Sequence, residues 1–331
     1  MSENLEAAKT KRTLRVASVQ MISENGNIAG NLKHATGFVE EAAKRGAKLI
    51  LLPEFMATGY CYTEDIWDSG EPKEGPTVKW LKETSKRLGV WLGASYLEAE
   101  GEDFYNTFVL TNPQGKEDGR VRKQLPAGPE ACFNAGGGAG PHIINSELGK
   151  IGVGICIENM YAFTIRNMFS NSADLMLQPY SAPMITATPQ VVQWFKDTIA
   201  TVATYYAKNL GIPAICSDKS GKFNSPVPHV PILSEVANLK EQTTHFCGFS
   251  TIADSDGSLK AQLGIEEGII VADVIMDPAL KKKSMPKTYG KWAIPNMTSL
   301  FKLLFLFEAA YASQYRSSKK RKLKAKAISQ S

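Results

Sequence analysis

The sequence predicts one layered α/β domain over residues 13–280, followed by a C-terminal extension over residues 281–331. Two observations favour this fold class. In the first half of the chain, segments with strand patterns alternate with segments of helical periodicity, and hairpin-like strand pairs are interspersed among them. No stretch of linker composition separates two parts before residue 280, and no internal repeat is seen. The alternation predicts helices layered on sheets, and the continuity predicts a single domain.

The predicted strands are short apolar runs bounded by turn residues. Residues 14–20 alternate, and residues 47–52 form a continuous apolar run, as in strands buried on both faces. Further strands are predicted at 90–97, 104–111, 143–144, 151–155, 174–178, 212–216, 246–253 and 268–274, with a short one before Arg122. Helices are predicted at 31–45, 77–88, 163–169 and 190–209. The insertion at 222–244 contains prolines and one predicted helical turn.

Composition narrows the class of protein. Of the 331 residues, 43% are hydrophobic and 21% are charged, which is typical of a soluble globular protein. The five cysteines are odd in number and form no CxxC pair, and the four histidines are not spaced as metal ligands. We therefore expect a reducing compartment, no disulfide framework, no metal site and no cofactor. Because the start lacks a signal peptide's apolar core, we expect the cytoplasm, with peripheral membrane contact as an alternative.

The C-terminal extension is strongly basic. From Lys281 onward there are thirteen Lys or Arg and one acid, Glu308, a balance of +12 in a chain of net charge +5. An apolar helix is predicted at about 298–313, and a Lys/Arg-rich tail follows. Three interpretations compete: a homodimer contact for the helix with a disordered, solvated tail, anchoring to an anionic membrane surface, or a nuclear or nucleic-acid role. We favour the first and do not expect nucleic acid as a partner.

Residues 150–159 carry the most informative pattern. Apolar and glycine residues lead into Cys156, and Glu158 follows, which predicts a buried strand, a sharp turn and then a helix. A cysteine at such a turn lies near a helix N-terminus, where the macrodipole favours the thiolate. Taken alone, the stretch favours a plainer interpretation, since free cysteine is among the most buried residue types.

Two other charged residues follow predicted strands. Glu54 comes directly after the apolar run 47–52, and Lys123 ends the short strand before Leu125. Charged side chains at the ends of buried strands can converge in one pocket, where burial and proximity shift their pKa values. Each residue alone is also typical of a solvated strand end, so the combination carries the inference.

In this order, the three segments resemble the signatures of the nitrilase superfamily of carbon–nitrogen hydrolases. The signatures stand here as Pro53-Glu54-Phe55, Lys123-Gln124-Leu125-Pro126 and Gly152-Val153-Gly154-Ile155-Cys156-Ile157-Glu158. Supporting matches are Val16–Met21, Thr58-Gly59-Tyr60, Tyr105-Asn106-Thr107 and Gly248-Phe249-Ser250 with Asp256-Gly257. The resemblance covers residues 13–275, and it implies a four-layer α-β-β-α sandwich and a homodimer or higher homo-oligomer.

The resemblance also implies a mechanism. Cys156 would attack a carbonyl or nitrile carbon and form a thioester. Glu54 would move the protons, and Lys123 with the backbone N–H of Ile157 would stabilise the oxyanion. Glu130, seven residues after Lys123, would hydrogen-bond near the lysine and help to position substrate, although a plain loop residue is an equal alternative.

Motif position suggests further pocket residues, although for most of them core or rim packing is the alternative that single residues favour. These candidates are Tyr60, Glu158, Tyr161, Gln178, Tyr180 and Ser181. The family often reads Lys-x-x-Leu-Pro, or has a His after the Lys, whereas this chain is one residue shorter and has Gln124. The glycine-rich loop 134–140 lacks a P-loop Lys-Ser/Thr, so we interpret it as flexible rather than phosphate-binding. The insertion 222–244 is a candidate lid or partner contact.

The resemblance favours a small linear amide or N-carbamoyl amine as substrate, with release of ammonia or an amine. True nitrilases carry Trp after the nucleophile, where this chain has Ile157. This difference disfavours a nitrile substrate, and a nitrilase is the first alternative to the amide interpretation. A thioester-based N-acyltransferase and a non-catalytic binding protein on the same scaffold are the others, and the presence of all three residue types of the triad disfavours the last.

Overall fold

The computed structural model describes residues 10–184, 188–229, 241–295, 297 and 308–331. The strands of this part of the chain are β1 (Arg12–Gln20), β2 (Leu49–Leu51), β3 (Trp91–Glu100), β4 (Asp103–Thr111), β5 (Glu117–Arg122), β6 (Ile143–Ser146), β7 (Gly149–Val153), β8 (Leu175–Pro179), β9 (Ala214–Ser217), β10 (Lys222–Pro226), β11 (Glu241–His245), β12 (Thr251–Ala253), β13 (Leu259–Gln262) and β14 (Gly268–Met276). The α-helices are α1 (Ile28–Lys44), α2 (Pro76–Leu88), α3 (Ala162–Ser170), α4 (Pro189–Leu210), α5 (Glu308–Ser317) and α6 (Lys319–Ser329). Short 3₁₀ turns occupy Glu64–Ser69, Gly128–Cys132, Cys156–Met160 and Pro278–Leu280.

Two six-stranded mixed sheets form the centre of the molecule. The first has the order β14-β1-β2-β3-β4-β5, and the second has the order β13-β12-β9-β8-β7-β6. In the first sheet β1, β2 and β3 are parallel, and in the second β7, β8 and β9 are parallel. Because β5 pairs antiparallel to β4, which is antiparallel to β3, β5 runs in the same direction as β2. The carboxyl ends of β2 and β5 therefore lie at the same edge of their sheet.

The two sheets pack face to face, with β1 against β9 and β12. Leu49 and Leu51 of β2 face the core between the sheets, whereas Ile50 faces a second core beneath the outer helices. All three are at most 1% exposed. Both faces of β2 are thus covered, which is the physical reason for its continuous apolar run. The hydroxyl of Ser18 donates to the carbonyl of Cys216 across the sheets at 2.7 Å.

Helices cover both outer faces. α1 and α2 pack against strands of the first sheet, and α4 packs against β9 and β12 of the second. α1 begins three residues earlier than its periodicity predicts because the side chain of Asn27 caps it, accepting from the N–H of Gly30 at 3.0 Å. The layering is α-β-β-α, and the predicted fold class is confirmed.

The sequence predicts an insertion with one helical turn over residues 222–244, whereas the described parts of this segment form two strands. β10 and β11 form an antiparallel hairpin with Lys222 opposite His245, and residues 230–240 lie outside the described part of the chain. β13 was also not predicted, since Leu259–Gln262 is largely exposed and has no apolar alternation on a buried face. Both are strands whose pairing partners, rather than their own sequence, determine their conformation.

The C-terminal tail is helical over Lys319–Ser329, so the expectation of a disordered tail is wrong. α6 packs against β3, β4 and the turn Glu64–Ser69, and its basic side chains form ion pairs with acidic residues of the body. These pairs are Lys320–Glu64, Arg321–Asp103, Lys322–Glu102 and Lys324–Asp68. The acidic body therefore supplies the counter-charges that a free basic tail lacks. Of the predicted helix at 298–313, residues 298–307 lie outside the described part, and α5 begins at Glu308.

Within the described residues, no helix is long and apolar enough to cross a membrane.

Candidate active site

Three segments that follow strand ends meet at one edge of the sandwich. Glu54 lies after β2, Lys123 directly after β5, and Cys156 after β7 of the other sheet. The N–H of Glu54 donates to the carbonyl of Tyr180 at 3.1 Å, which joins the end of β2 to the end of β8 across the sheets. Lys123 and Glu54, 69 positions apart in sequence, are in direct contact, and both lie close enough to Cys156 to influence its pKa.

Lys123 is the centre of this cluster. Its ammonium donates to Glu54 Oε1 at 2.7 Å and to Glu130 Oε2 at 2.6 Å, and all three side chains are fully buried. A buried ammonium between two carboxylates leaves the trio with a net charge of −1 when all three are ionised. Two of the three ammonium hydrogens are used in these bonds, so one remains for another acceptor.

Glu54 is held by neutral donors as well as by the lysine. Asn106 Nδ2 donates to Glu54 Oε1 at 2.7 Å, and the N–H of Ser181 donates to Oε2 at 2.7 Å. The Ser181 hydroxyl donates to the Glu54 carbonyl at 2.6 Å, so both the backbone and the side chain are fixed. Burial raises the pKa of Glu54, while the Lys123 charge acts in the opposite direction. A carboxyl group whose pKa is raised holds a proton more readily than an exposed one, which suits a residue that exchanges protons.

Glu130 is part of the cluster and not a plain loop residue. It lies on the turn Gly128–Cys132 and accepts from the N–H of Ala127 at 3.0 Å and from Asn134 Nδ2 at 3.1 Å, besides the Lys123 ammonium. The Tyr60 hydroxyl lies 3.5 Å from Glu130 Oε2. The equal alternatives left by the sequence are thus resolved in favour of contact with the lysine.

Cys156 occupies a strained turn. Its φ of 52° lies in the left-handed region, which costs a non-glycine residue about 1–3 kcal/mol. Asn159 fixes the turn, because its Nδ2 donates to the carbonyls of Gly154 at 2.7 Å and Cys156 at 3.0 Å. A Cβ on Gly154 would lie 2.3 Å from Asn159 Oδ1, so the close approach requires glycine here. This backbone explains the Gly-x-Cys spacing.

Cys156 is buried, with 8% of the residue exposed. Burial raises its pKa well above the usual value, Glu54 and Glu130 raise it further, and the Lys123 charge lowers it. The net negative trio and the burial together keep the resting sulfur as the protonated thiol. A nucleophile in this setting needs a base to take its proton during attack.

Glu158 connects two of the three segments. Its Oε1 accepts from the N–H of Gln124 at 2.6 Å, and its Oε2 accepts from the N–H of Ile155 at 3.0 Å. Burial raises the pKa of Glu158 to about 8. The residue was predicted as part of the substrate pocket, but the structure uses it to tie the cysteine turn to the segment after Lys123.

The other predicted pocket residues have different surroundings. Tyr60 lies in an aromatic cluster beside Glu130, and Ser181 contacts Glu54 directly, whereas Tyr180 contributes its backbone carbonyl. Gln178 is fully buried and donates to Asn159 Oδ1 at 3.0 Å, so it supports the cysteine turn from β8. Tyr161 belongs to another cluster, where its ring lies 4.8 Å from that of Trp292.

The glycine-rich loop packs closely against the lysine segment. The N–H of Gly137 donates to the Lys123 carbonyl at 2.7 Å, and a Cβ on Gly136 would lie 2.4 Å from the carbonyl oxygen of Gln124. From its sequence we interpret this loop as flexible, but the structure gives its glycines another role: the close approach of the two backbone segments requires glycine at both positions.

Sequence reasoning missed four residues that support the site. Asn106 holds Glu54 and had appeared only in the Tyr105-Asn106-Thr107 match, and Asn159 holds the cysteine turn and had appeared only at the end of the stretch 150–159. Asp218 and Lys219 follow β9 directly and are fully buried. A charged residue directly after a buried strand is the signal that identified Glu54, so the same signal could have found this pair. Among the described residues, no group of three His, Cys, Asp or Glu side chains could hold a metal ion.

The fold and this arrangement define a class: an α-β-β-α sandwich in which Glu54, Lys123 and Cys156 follow strand ends at one edge. The sequence profile of the carbon–nitrogen hydrolase family matches residues 15–278. The chain belongs to this family, in the amidase-like branch of the nitrilase superfamily.

Individual relatives agree with this placement. The chain is 27% identical over 289 residues to N-carbamoylputrescine amidase of Arabidopsis thaliana, covering 84% of this chain and 92% of that protein. It is 25% identical to Nitrilase 3 of the same plant over 87% of this chain and 86% of that protein. The solved structure of a carbon–nitrogen hydrolase from Helicobacter pylori G27 has a TM-score of 0.69 at 18% identity, covering 93% of this chain and 96% of that one. The family membership and the amidase relatives support hydrolysis of amide C–N bonds in general.

Proposed function

We propose that the protein hydrolyses a small linear amide or N-carbamoyl amine through a thioester on Cys156, with Glu54 as the base and Lys123 as the oxyanion partner. The observation that carries this proposal is the fully buried Lys123 ammonium held by Glu54 and Glu130 beside the strained cysteine turn. A purely structural lysine could use all three of its hydrogens in bonds within the protein. Lys123 uses two, so its third hydrogen is available to an oxygen of the substrate.

The first half-reaction begins with the protonated thiol. As the sulfur attacks the carbonyl carbon, its proton passes to a carboxylate oxygen of Glu54, and the carbonyl oxygen becomes an oxyanion. The third hydrogen of the Lys123 ammonium and the backbone N–H of Ile157 stabilise that charge. The C–N bond then breaks, and Glu54 returns the proton to the leaving ammonia or amine, which leaves the acyl group on sulfur.

The second half-reaction returns the enzyme to its starting state. Glu54 takes a proton from water as the water oxygen attacks the thioester carbon, and the thiolate leaves and is protonated. Since the Asn106 and Ser181 bonds keep the carboxyl group in place, the same oxygen pair serves both half-reactions. No metal or redox cofactor enters these steps.

Substrate class rests on sequence features and on relatives. Ile157 stands where true nitrilases carry Trp, and the first relative described above is an N-carbamoylputrescine amidase. These features support an amide or carbamoyl substrate. A nitrile substrate is the second candidate, since Nitrilase 3 covers a similar share of the chain.

The test is intact-mass detection of an acyl adduct on Cys156 after incubation with a mixed library of amides, carbamoyl amines and nitriles. We expect a mass increase equal to the acyl half of one amide or carbamoyl compound, and no increase for the Cys156→Ala variant. Ammonia release retained by Cys156→Ala would overturn the assignment. An adduct from a nitrile, hydrolysed without a free amide, would favour the second candidate.

Absence of any adduct, together with a Cys156 no more reactive toward iodoacetamide than the other cysteines, would favour a non-catalytic binding protein. An adduct that passes to an added amine faster than to water would indicate an acyltransferase.

The predictions of a homo-oligomer, of cytoplasmic location and of contact with an anionic membrane stay predictions. An anionic membrane would have to compete with acidic residues of the same chain, because four basic side chains of α6 already form ion pairs with them. Co-sedimentation with anionic vesicles, with and without residues 308–331, tests it. Binding that is unchanged by the truncation would exclude a role for this segment.

A further inference from the structure

A second pair of buried charged residues lies behind Glu54. Asp218 and Lys219 follow β9, and both are 0% exposed. The Lys219 ammonium donates to the carbonyl of Phe55 at 2.9 Å, and within the described residues no carboxylate lies within 4 Å of it. A buried lysine without a close ion pair is costly, so its persistence calls for an explanation beyond packing.

The contact of Lys219 falls on the peptide that follows Glu54. Phe55 has a φ of 50°, in the left-handed region, and its N–H donates to the Ser95 hydroxyl at 2.9 Å. Its carbonyl accepts from Lys219. Two side-chain contacts therefore hold a strained residue next to the carboxylate, and the stronger of them comes from a charged group.

Asp218 binds a second backbone segment, the one that contains Ser181 and Ala182. Its Oδ1 accepts from the N–H of Ala182 at 2.9 Å and from the N–H of Lys219 at 2.8 Å. Ala182 directly follows Ser181, whose N–H and hydroxyl bind the Glu54 carboxylate and carbonyl. Lys219 therefore binds the backbone at Phe55, and Asp218 binds the backbone next to Ser181; both of these segments are in contact with Glu54 or continuous with it.

We propose that Asp218 and Lys219 form a positioning pair that holds Glu54 in the geometry needed to move protons to and from Cys156. The proposal rests on the proposed function for the identity of the base. Neither residue touches the reacting atoms; each acts through the backbone around Glu54.

Electrostatics agree with this arrangement. The titratable groups that influence Lys219 are Glu54, Asp218 and Cys61, and the Phe246 ring lies 5.8 Å from its ammonium. Burial lowers the pKa of Lys219 to about 7, while the two carboxyl groups raise it. Proton loss from Lys219 above neutral pH would weaken its bond to the Phe55 carbonyl.

The test compares Lys219→Met with wild type, with Glu54→Gln, and with Lys222→Met, an exposed lysine in β10. The first readout is the rate of Cys156 alkylation by iodoacetamide from pH 6 to 9, followed by peptide mass. We expect about a 10-fold slower reaction at pH 7 for Lys219→Met, because a misplaced Glu54 takes the thiol proton less readily, and no change for Lys222→Met. Glu54→Gln removes both the base and a charge that raises the pKa of Cys156, so its profile is the reference for losing the carboxylate altogether.

The second readout is amide turnover per titrated active site, with a substrate identified by the adduct experiment. We expect kcat to fall about 10- to 100-fold with KM within about threefold of wild type, because misplacing a base affects the chemical step more than binding. A purely structural role would lower the fraction of titratable sites and leave the rate per site unchanged, and that result would overturn the proposal.

Outcomes of this proposal and of the proposed function are separable. Lys219-dependent alkylation without any acyl adduct supports the positioning pair and removes the amidase assignment. Acyl adducts with wild-type rates for Lys219→Met overturn the pair and leave the assignment intact. If Lys219→Met does not fold, Asp218→Ala decides: it removes the Oδ1 acceptor from the N–H groups of Ala182 and Lys219, and an unchanged alkylation profile would overturn the proposal.

Discussion

Substitution of Glu130 by Gln separates the acidity of the thiol from the catalysis of amide cleavage. Glu130 Oε2 accepts from the Lys123 ammonium and from the N–H of Ala127, while Oε1 faces Asn134 Nδ2 at 3.1 Å. A glutamine amide places an NH₂ group at one of these two positions. Whichever way it turns, one donor loses its acceptor, and the trio loses one negative charge.

The contact between Lys123 and Glu130, at 2.6 Å, is a charge-assisted bond. Such bonds contribute about 1.5–3 kcal/mol, and a tenfold rate change corresponds to about 1.4 kcal/mol. If the bond serves to hold Lys123 toward the oxyanion, kcat for amide hydrolysis should fall about 10- to 160-fold in Glu130→Gln.

The thiol should respond in the opposite direction. Glu130 is among the charges that raise the pKa of Cys156, so its neutralisation lowers that pKa. Alkylation of Cys156 by iodoacetamide should therefore reach its plateau at lower pH than in wild type, and at pH 7 it should be faster. The assay is the alkylation rate against pH beside steady-state amide turnover on the same preparation.

A matched control is Glu147→Gln, which removes one carboxylate from an exposed position. It should leave both measurements unchanged. The reasoning would be refuted if Glu130→Gln moved the alkylation profile to higher pH, or if it kept wild-type kcat while folded.

Three further predictions concern stability and the cysteine turn. The pKa of Glu158 is raised to about 8, so between about pH 4.5 and 8 the folded state holds a proton that the unfolded chain releases, and the stability that this proton contributes is lost as the pH rises. The unfolding midpoint of Glu158→Gln should therefore fall less than that of wild type between pH 5 and 8.5. An equal fall would contradict this. Gly154→Ala should displace Asn159 and reduce kcat more than tenfold in a folded protein, as measured by turnover per titrated thiol. Arg321→Ala should lower the free energy of unfolding by about 1–3 kcal/mol in urea titrations, because this buried guanidinium binds the Glu102 carbonyl and the Asp103 carboxylate. Lys326→Ala, at an exposed position of the same helix, should change it by less than about 0.5 kcal/mol.

The sequence was sufficient for the layers because they depend on local patterns. The apolar run 47–52 predicts a strand buried on both faces, and β2 with its two separate cores confirms it. The residues after such strands are the ones that parallel pairing brings to one edge, so Glu54 and Cys156 were candidates on pattern. Each had a plainer interpretation on its own, and the order of Glu54, Lys123 and Cys156 that the family shares was needed to select the three.

The pocket candidates show that a local sequence pattern does not predict the contacts of a polar side chain. Glu158, Gln178 and Ser181 all follow or end buried strands, yet Glu158 joins two backbone segments, Gln178 supports Asn159, and Ser181 holds Glu54. The direction of a polar side chain depends on which chain segment packs beside it. That information lies in the pairing of β7 with β8 and in the contact between the two sheets.

By itself, then, the sequence determined the four-layer class, the order Glu54, Lys123, Cys156, and the glycines that permit the cysteine turn. Only the tertiary structure decided that Lys123 lies between two carboxylates, that Asp218 and Lys219 stand behind Glu54, and that the basic tail folds as a helix on the acidic body. The physical reason is range. Strand and turn preferences act over a few neighbouring residues, whereas the energy of a buried charge depends on partners brought from distant parts of the chain.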